Sequence, residues 1–211
     1  MKTKIFTIIS TVLIISNTLF AGFTLDFLPK LGVVGSLTDL TESVLEGRGD
    51  LNLQLGYHFP IGEKFRGIDL LFDTGLNFGS LSIKKDANSI NQMDIIGINT
   101  GLALKFVVTP IFLENTMNRE QQTVYGISAG AKFIPFINGL SQVPISLYVN
   151  LSSERRIYTY EKKALVVGIN LFYEYMFFNK NDVYKLFAGK NITQHHSIGV
   201  LMSIGFHFGE Y

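Results

Sequence analysis

From Leu51 to Phe59 the chain alternates without a break: Leu51, Leu53, Leu55, Tyr57 and Phe59 are apolar, while Asn52, Gln54, Gly56 and His58 fall between them. A period of two belongs to a strand with one apolar and one polar face. The pattern returns repeatedly. Around residues 67–83, Ile68, Leu70, Phe72, Thr74, Leu76 and Phe78 oppose Asp69, Leu71, Asp73, Gly75 and Asn77. Over 96–108, Ile96, Ile98, Thr100, Leu102, Leu104, Phe106 and Val108 oppose Gly97, Asn99, Gly101, Ala103, Lys105 and Val107. Residues 125–133, 145–151, 165–177 and 198–208 repeat it, and Phe23–Val34 shows it more faintly. The spacing therefore predicts eight strands, an even number, as a closed antiparallel barrel requires.

Which face meets water is decided by the texture of the other face. The apolar face of the seven clear strands carries no charge. The polar face is rich in Gly, Asn and Ser with isolated charges, unlike the Lys/Glu/Thr surface of a solvated sheet. Small residues suit the cramped interior of an eight-stranded barrel. The expectation is an all-β fold: a closed antiparallel transmembrane β-barrel, about eight strands in an up-and-down meander, with its apolar face toward lipid. A lipocalin-like barrel or a sandwich is the soluble alternative. Aromatic residues support the first reading. Tyr57, Phe59, Phe106, Phe206 and Phe208 fall at one set of strand ends, and Phe78, Phe133, Tyr175 and Phe177 at the other, the places of interfacial girdles.

The first residues read differently. Lys2 and Lys4 precede an apolar run from Ile5 to Ile15, a polar break and Leu19-Phe20-Ala21. This is the layout of a secretory signal peptide over residues 1–21, cleaved after Ala21; the run is short for an uncleaved spanning helix. The expected division is a signal peptide, 1–21, and a barrel domain, 22–211. Its removal leaves 16 basic against 17 acidic side chains. A chain that is 47% hydrophobic, 17% charged and nearly neutral offers no basic footprint for nucleic acid and is too apolar to be disordered. With no cysteine, disulfide scaffolds, zinc–cysteine sites and a lipid-modified cysteine are excluded.

With both ends of the barrel domain on the inner side, residues 35–49, 84–94, 134–144 and 178–196 are expected as outer loops and 60–66 as a short inner turn. Two further inner connections, 109–123 and 152–164, are long for such turns. Either strands project past the bilayer there, or ten strands exist.

The signal peptide, alternating stretches such as "NLQLGYHFP" and "GIDLLFDTGLNFG", and the final "SIGVLMSIGFHFGEY" together resemble small bacterial outer-membrane barrels, of the opacity-protein type and the transmembrane-domain type of outer membrane protein A. The resemblance is one of pattern over residues 22–211. It implies the bacterial outer membrane as location, outer-membrane lipid as surroundings, and the barrel-assembly machinery as a partner that reads a terminal aromatic signal. Phe206, Phe208 and Tyr211 match that signal, with Gly209-Glu210 interrupting the alternation. No peptidoglycan-binding domain is expected.

Lumen-facing parity gathers Asp69, Asp73 and Glu174 with Lys105 and Lys132, and Asp26 and Lys30 join from the first strand. Enclosed charges need partners, so the expectation is an ion-paired plug, with Asp69 and Lys105 as one pair; an ion or proton path gated by such pairs is the alternative. Eight strands leave little room for a general pore. "QHHSIG" places His195 and Ser197 two apart, the spacing of some outer-membrane lipid deacylases, but Ile198 stands where that resemblance needs asparagine, and Glu210, the only late carboxylate, belongs to the opposite face. His58 and His207 stand alone on strand ends, and no metal or cofactor site is read. Asn191-Ile192-Thr193 is a glycosylation acceptor only formally. Asp39, Glu42, Glu46, Arg48, Lys84, Lys85, Lys180, Lys185 and Lys190 are expected on outer loops, where they could meet lipopolysaccharide or host surfaces. The function expected is a non-enzymatic structural or surface-interaction role, with a narrow-channel porin and a lipid-modifying hydrolase as alternatives.

Overall fold

The computed structural model of the chain describes residues 22–38, 44–61, 65–86, 89–108, 121–135, 144–160, 163–177 and 194–209. They form eight strands: β1 (Phe23–Thr38), β2 (Val44–Pro60), β3 (Phe65–Asp86), β4 (Ser89–Val108), β5 (Gln121–Phe133), β6 (Ile145–Tyr160), β7 (Lys163–Phe177) and β8 (Gln194–Phe208). Each pairs antiparallel with the next, and β1 closes on β8 through registers such as Leu25↔Phe208 and Val33↔Val200. Closure leaves no continuous unpaired edge. The start of β1 and the end of β8 mark what is here called the inner end.

Parity sorts the side chains as the alternation predicts. Leu102 (62% exposed), Ile204 (61%) and Leu171 (54%) point outward, and their strand neighbours Ala103, Ser203 and Asn170 are buried inside. The buried interior is thus the polar side and the exposed exterior the apolar one, the reverse of a soluble sandwich. Glycines let the interior fill. A Cβ on Gly97 would lie 2.8 Å from Cδ of Lys132, and one on Gly101 2.7 Å from the Tyr148 hydroxyl and 2.3 Å from a backbone oxygen. Large side chains from one wall lie across the bare backbone of another.

Several boundaries differ from the sequence expectation. Residues 35–49 and 84–94 are largely strand: β1 runs to Thr38, β2 begins at Val44, and β3 and β4 remain paired to Asp86↔Ser89. Beyond the barrel rim an outward residue need not be apolar, so the alternation fades while the ladder continues. β2 leaves β3 at Gly79 and β5 leaves β4 at Ile98, so the outermost part of β3–β4 is a two-stranded ribbon standing past the wall. The expected inner connection 152–164 is also mostly strand: β6 continues to Tyr160 and β7 begins at Lys163. Its outward face carries Ser153 and Arg155, the latter donating to Gln121 Oε1 at 3.3 Å, so the exterior is not free of charge. Eight strands, not ten, account for the described residues. The expected signal peptide, residues 109–120, the loop region 178–193 with Lys180, Lys185, Lys190 and Asn191–Thr193, and Asp39, Glu42, Glu210 and Tyr211 lie outside them.

Candidate functional site

The alternation that turns apolar side chains outward places every second residue of eight strands in one narrow space. Two groups of ion pairs form there. At the inner end, Lys105 from β4 donates to Asp26 Oδ2 at 2.7 Å and to Glu154 Oε2 at 2.8 Å. Arg156 from β6 reaches Asp69 Oδ2 at 2.8 Å and Asp26 Oδ2 at 3.3 Å. Each aspartate is also met by an imidazole: His58 Nδ1 donates to Asp69 and His207 Nδ1 to Asp26, both at 2.5 Å. Asp26, Asp69, Lys105 and Arg156 are all at most 1% exposed.

Toward the outer end, Glu174 from β7 accepts from Arg48 at 2.6 Å, from Lys132 at 2.5 Å and from Ser146 at 2.7 Å. Arg48 also pairs with Asp50 at 3.2 Å, and its guanidinium lies 4.2 Å from the centre of the Phe172 ring, a cation–π contact within a small apolar group of Val34, Phe172 and Leu201. Asn77 links Asp50 to Lys132, and Glu46 accepts from Ser36 at 3.1 Å. Between the two groups, Asp73 accepts from Asn52, Gln54 and Tyr148 at 3.0–3.1 Å.

The expected lumen residues Asp69, Asp73, Lys105, Lys132 and Glu174 therefore share one interior, but not one cluster. Lys132 and Glu174 are an ion pair. Asp69 and Lys105 are register partners across β3–β4, yet each pairs elsewhere, Asp69 with Arg156 and Lys105 with Asp26 and Glu154, because the long side chains of Lys105 and Arg156 extend across the lumen rather than along the wall. Asp26 is central to the inner group. Glu46 and Arg48, expected on an outer loop, point into the lumen instead. Both sit at even positions of β2, in step with Asn52 and Gln54, so continuing that parity backward would have found them. Arg156 and Glu154 likewise continue the even parity of Ser146, Tyr148 and Asn150. His58 and His207 are not isolated; each completes an aspartate's shell.

His195 and Ser197 are both buried in the lumen, with Ser197 Oγ 3.4 Å from His195 Nδ1. The pair faces away from the lipid side, where a lipid substrate would approach. His196 faces out and accepts from the Tyr173 hydroxyl at 2.7 Å, beside Tyr175. Of the terminal aromatic positions, Phe206 and Phe208 are exposed on the exterior at the inner end. Among the described residues, no group of three or more His, Asp or Glu side chains is placed to hold a metal ion.

Geometry defines a class: a closed eight-stranded antiparallel barrel, apolar outside, with a lumen crossed by buried ion pairs. No protein-family model and no curated protein matches the chain. Among solved structures it is similar to neisserial surface protein A (NspA), with TM-score 0.46 and 10% identity over 89% of this chain and 96% of that one. It is also similar to the outer membrane protein OprG from Pseudomonas aeruginosa, with TM-score 0.42 and 11% identity over 90% and 96%. A third is Ail, the attachment invasion locus protein of Yersinia pestis, in complex with the heparin analogue sucrose octasulfate, with TM-score 0.37 and 8% identity over 89% and 99%.

Proposed function

We propose that the chain is an integral protein of the bacterial outer membrane, exported through a signal peptide over residues 1–21 and inserted by the barrel-assembly machinery through the terminal aromatic strand with Phe206, Phe208 and Tyr211. Its role is structural or adhesive rather than enzymatic. The wall anchors the protein in lipid, and the outer loops meet lipopolysaccharide or host surfaces. One observation carries this reading: large apolar side chains cover the outside while charges are enclosed and paired within. In water that arrangement would expose the apolar band and bury the ions, both costly; in a bilayer, lipid covers the band.

The lumen residues Asp69, Asp73, Lys105, Lys132 and Glu174, with Arg48, Asp26, Glu154 and Arg156, act as a plug. Opposite charges from facing walls meet at contact distance, and opening a path means separating them in a medium of low dielectric. The hydrolase reading is not favoured, because His195 and Ser197 open to the lumen and not to the lipid face.

The test uses outer-membrane material from cells producing the full chain, run on a gel in detergent with and without boiling. A shift on boiling is expected, since a closed membrane barrel keeps its fold in unboiled detergent. A soluble periplasmic protein with no shift overturns the membrane reading. In planar bilayers the purified barrel is expected to stay silent; steady single-channel steps identify the narrow pore instead.

A further inference from the structure

We infer that the middle of the lumen is a water-binding site, in which one or two bound waters solvate the ammonium of Lys30. Lys30 is 4% exposed and, among the described residues, has no ion-pair or hydrogen-bond partner, unlike Lys105 and Lys132. It lines a cavity between the two ion-pair groups, together with Asp50, its register partner across β1–β2, and Asn52, Asp73, Asn99, Tyr148 and Asn150. The side-chain oxygens of Asn52, Asn99 and Asn150 are buried without a donor.

The chemistry of the lining selects the occupant. An ammonium offers three donors and no acceptor; three amide oxygens offer the reverse. Turning the amides over would only exchange orphan acceptors for orphan donors around a cation. An anion would satisfy Lys30 and leave the oxygens facing negative charge. A metal ion would suit the oxygens and the carboxylates of Asp50 and Asp73, but would lie beside three cations, Lys30, Arg48 and Lys132, which line the same space. A ligand that accepts from the ammonium and donates to the amides meets both needs, and water is the smallest. About 20 Å³ is open to water centres, room for one or two waters.

Arg48 and Lys132 line this cavity and also the outer one formed with Glu46, Glu174, His195 and Ser197. They are the partition between the two, so exchange of the bound water waits on their pairing with Glu174. The lumen then has a wet centre between closed ends.

Radiolytic labelling by X-ray pulses tests this on the full folded barrel, since hydroxyl radicals made from a bound water mark the side chains beside it even when those are buried. Leu201 lines the cavity, whereas Leu28 and Leu71 are equally buried and do not. Leu201 is expected to be labelled several-fold faster than either, and Lys30→Leu to bring it down to their rate. Equal, slow labelling of all three leucines in the native protein overturns the inference without need of a variant. Fast labelling of Leu201 that Lys30→Leu leaves unchanged in a barrel that still shifts on boiling removes Lys30 from the site and overturns it equally.

Discussion

Arg156 ties two walls of the inner group together. Its guanidinium serves two aspartates from two other walls, Asp26 and Asp69, and is 1% exposed. Arg156→Met keeps most of the volume but leaves those carboxylates short of a counter-charge, so a loss of about 3–5 kcal/mol is expected, measured by urea unfolding in lipid vesicles. Adding Asp69→Leu removes one of the stranded charges, and the double variant is expected to be more stable than Arg156→Met alone. If both variants lose nothing, the pairs do not hold the lumen. A similar dependence attaches to Glu174, which answers both Arg48 and Lys132; Glu174→Gln is expected to cost about 3–5 kcal/mol in the same assay. These residues were unequally legible in the sequence. Lys132 and Glu174 stand on strands whose outward faces are plainly apolar, so their inward direction could be read. Arg48 hides because its outward neighbours are Gly47 and Gly49, and Arg156 because its own are Arg155 and Ile157. In each case the ladder of hydrogen bonds persists where the contrast between faces does not.

At the scale of the element, two features distinguish these strands. The outward band is apolar where lipid would cover it. Leu102, between Phe72 and Ala129 on its neighbours, lies well inside that band. Leu102→Arg is expected to destabilise the barrel by about 2–4 kcal/mol when it is refolded into bilayers, and a change within about 0.5 kcal/mol would be that of an exposed surface position in water. Facing inward, close approach of backbone and side chain fixes where glycine stands. Gly101→Ala would set a methyl 2.3 Å from the Ala129 carbonyl oxygen and 2.7 Å from the Tyr148 hydroxyl. A loss of about 1–3 kcal/mol is expected, read from the same unfolding curves. Periodicity showed seven of the elements clearly and β1 more faintly, with facing legible where the outward side is apolar. Their lengths were not. The β3–β4 ribbon and the inner extension of β6 hold together through backbone pairing, and that leaves little mark on the pattern of side chains.

For the whole molecule, the notable fact is that the Lys and Arg ion pairs mostly join strands that are not neighbours in the wall. Asp26 of β1 meets Lys105 of β4, Arg156 of β6 and His207 of β8; Arg48 of β2 meets Glu174 of β7. Parity gives the direction in which a side chain leaves its strand, but partners across a lumen depend on closure and stagger, which no stretch of sequence contains. That is why Asp69 and Lys105, adjacent in the wall, looked like a pair and are not one. Closure also has a consequence in time. The seam between β1 and β8 joins residues more than 160 positions apart along most of its length, and no partial chain can form it. Until Phe208 has emerged, β1 carries an open row of backbone donors and acceptors, and Asp26 lacks its imidazole. The chain must therefore be kept from pairing with itself or with others until its last strand arrives, so the rate at which barrels appear should be set by completion of that seam rather than by formation of any single hairpin.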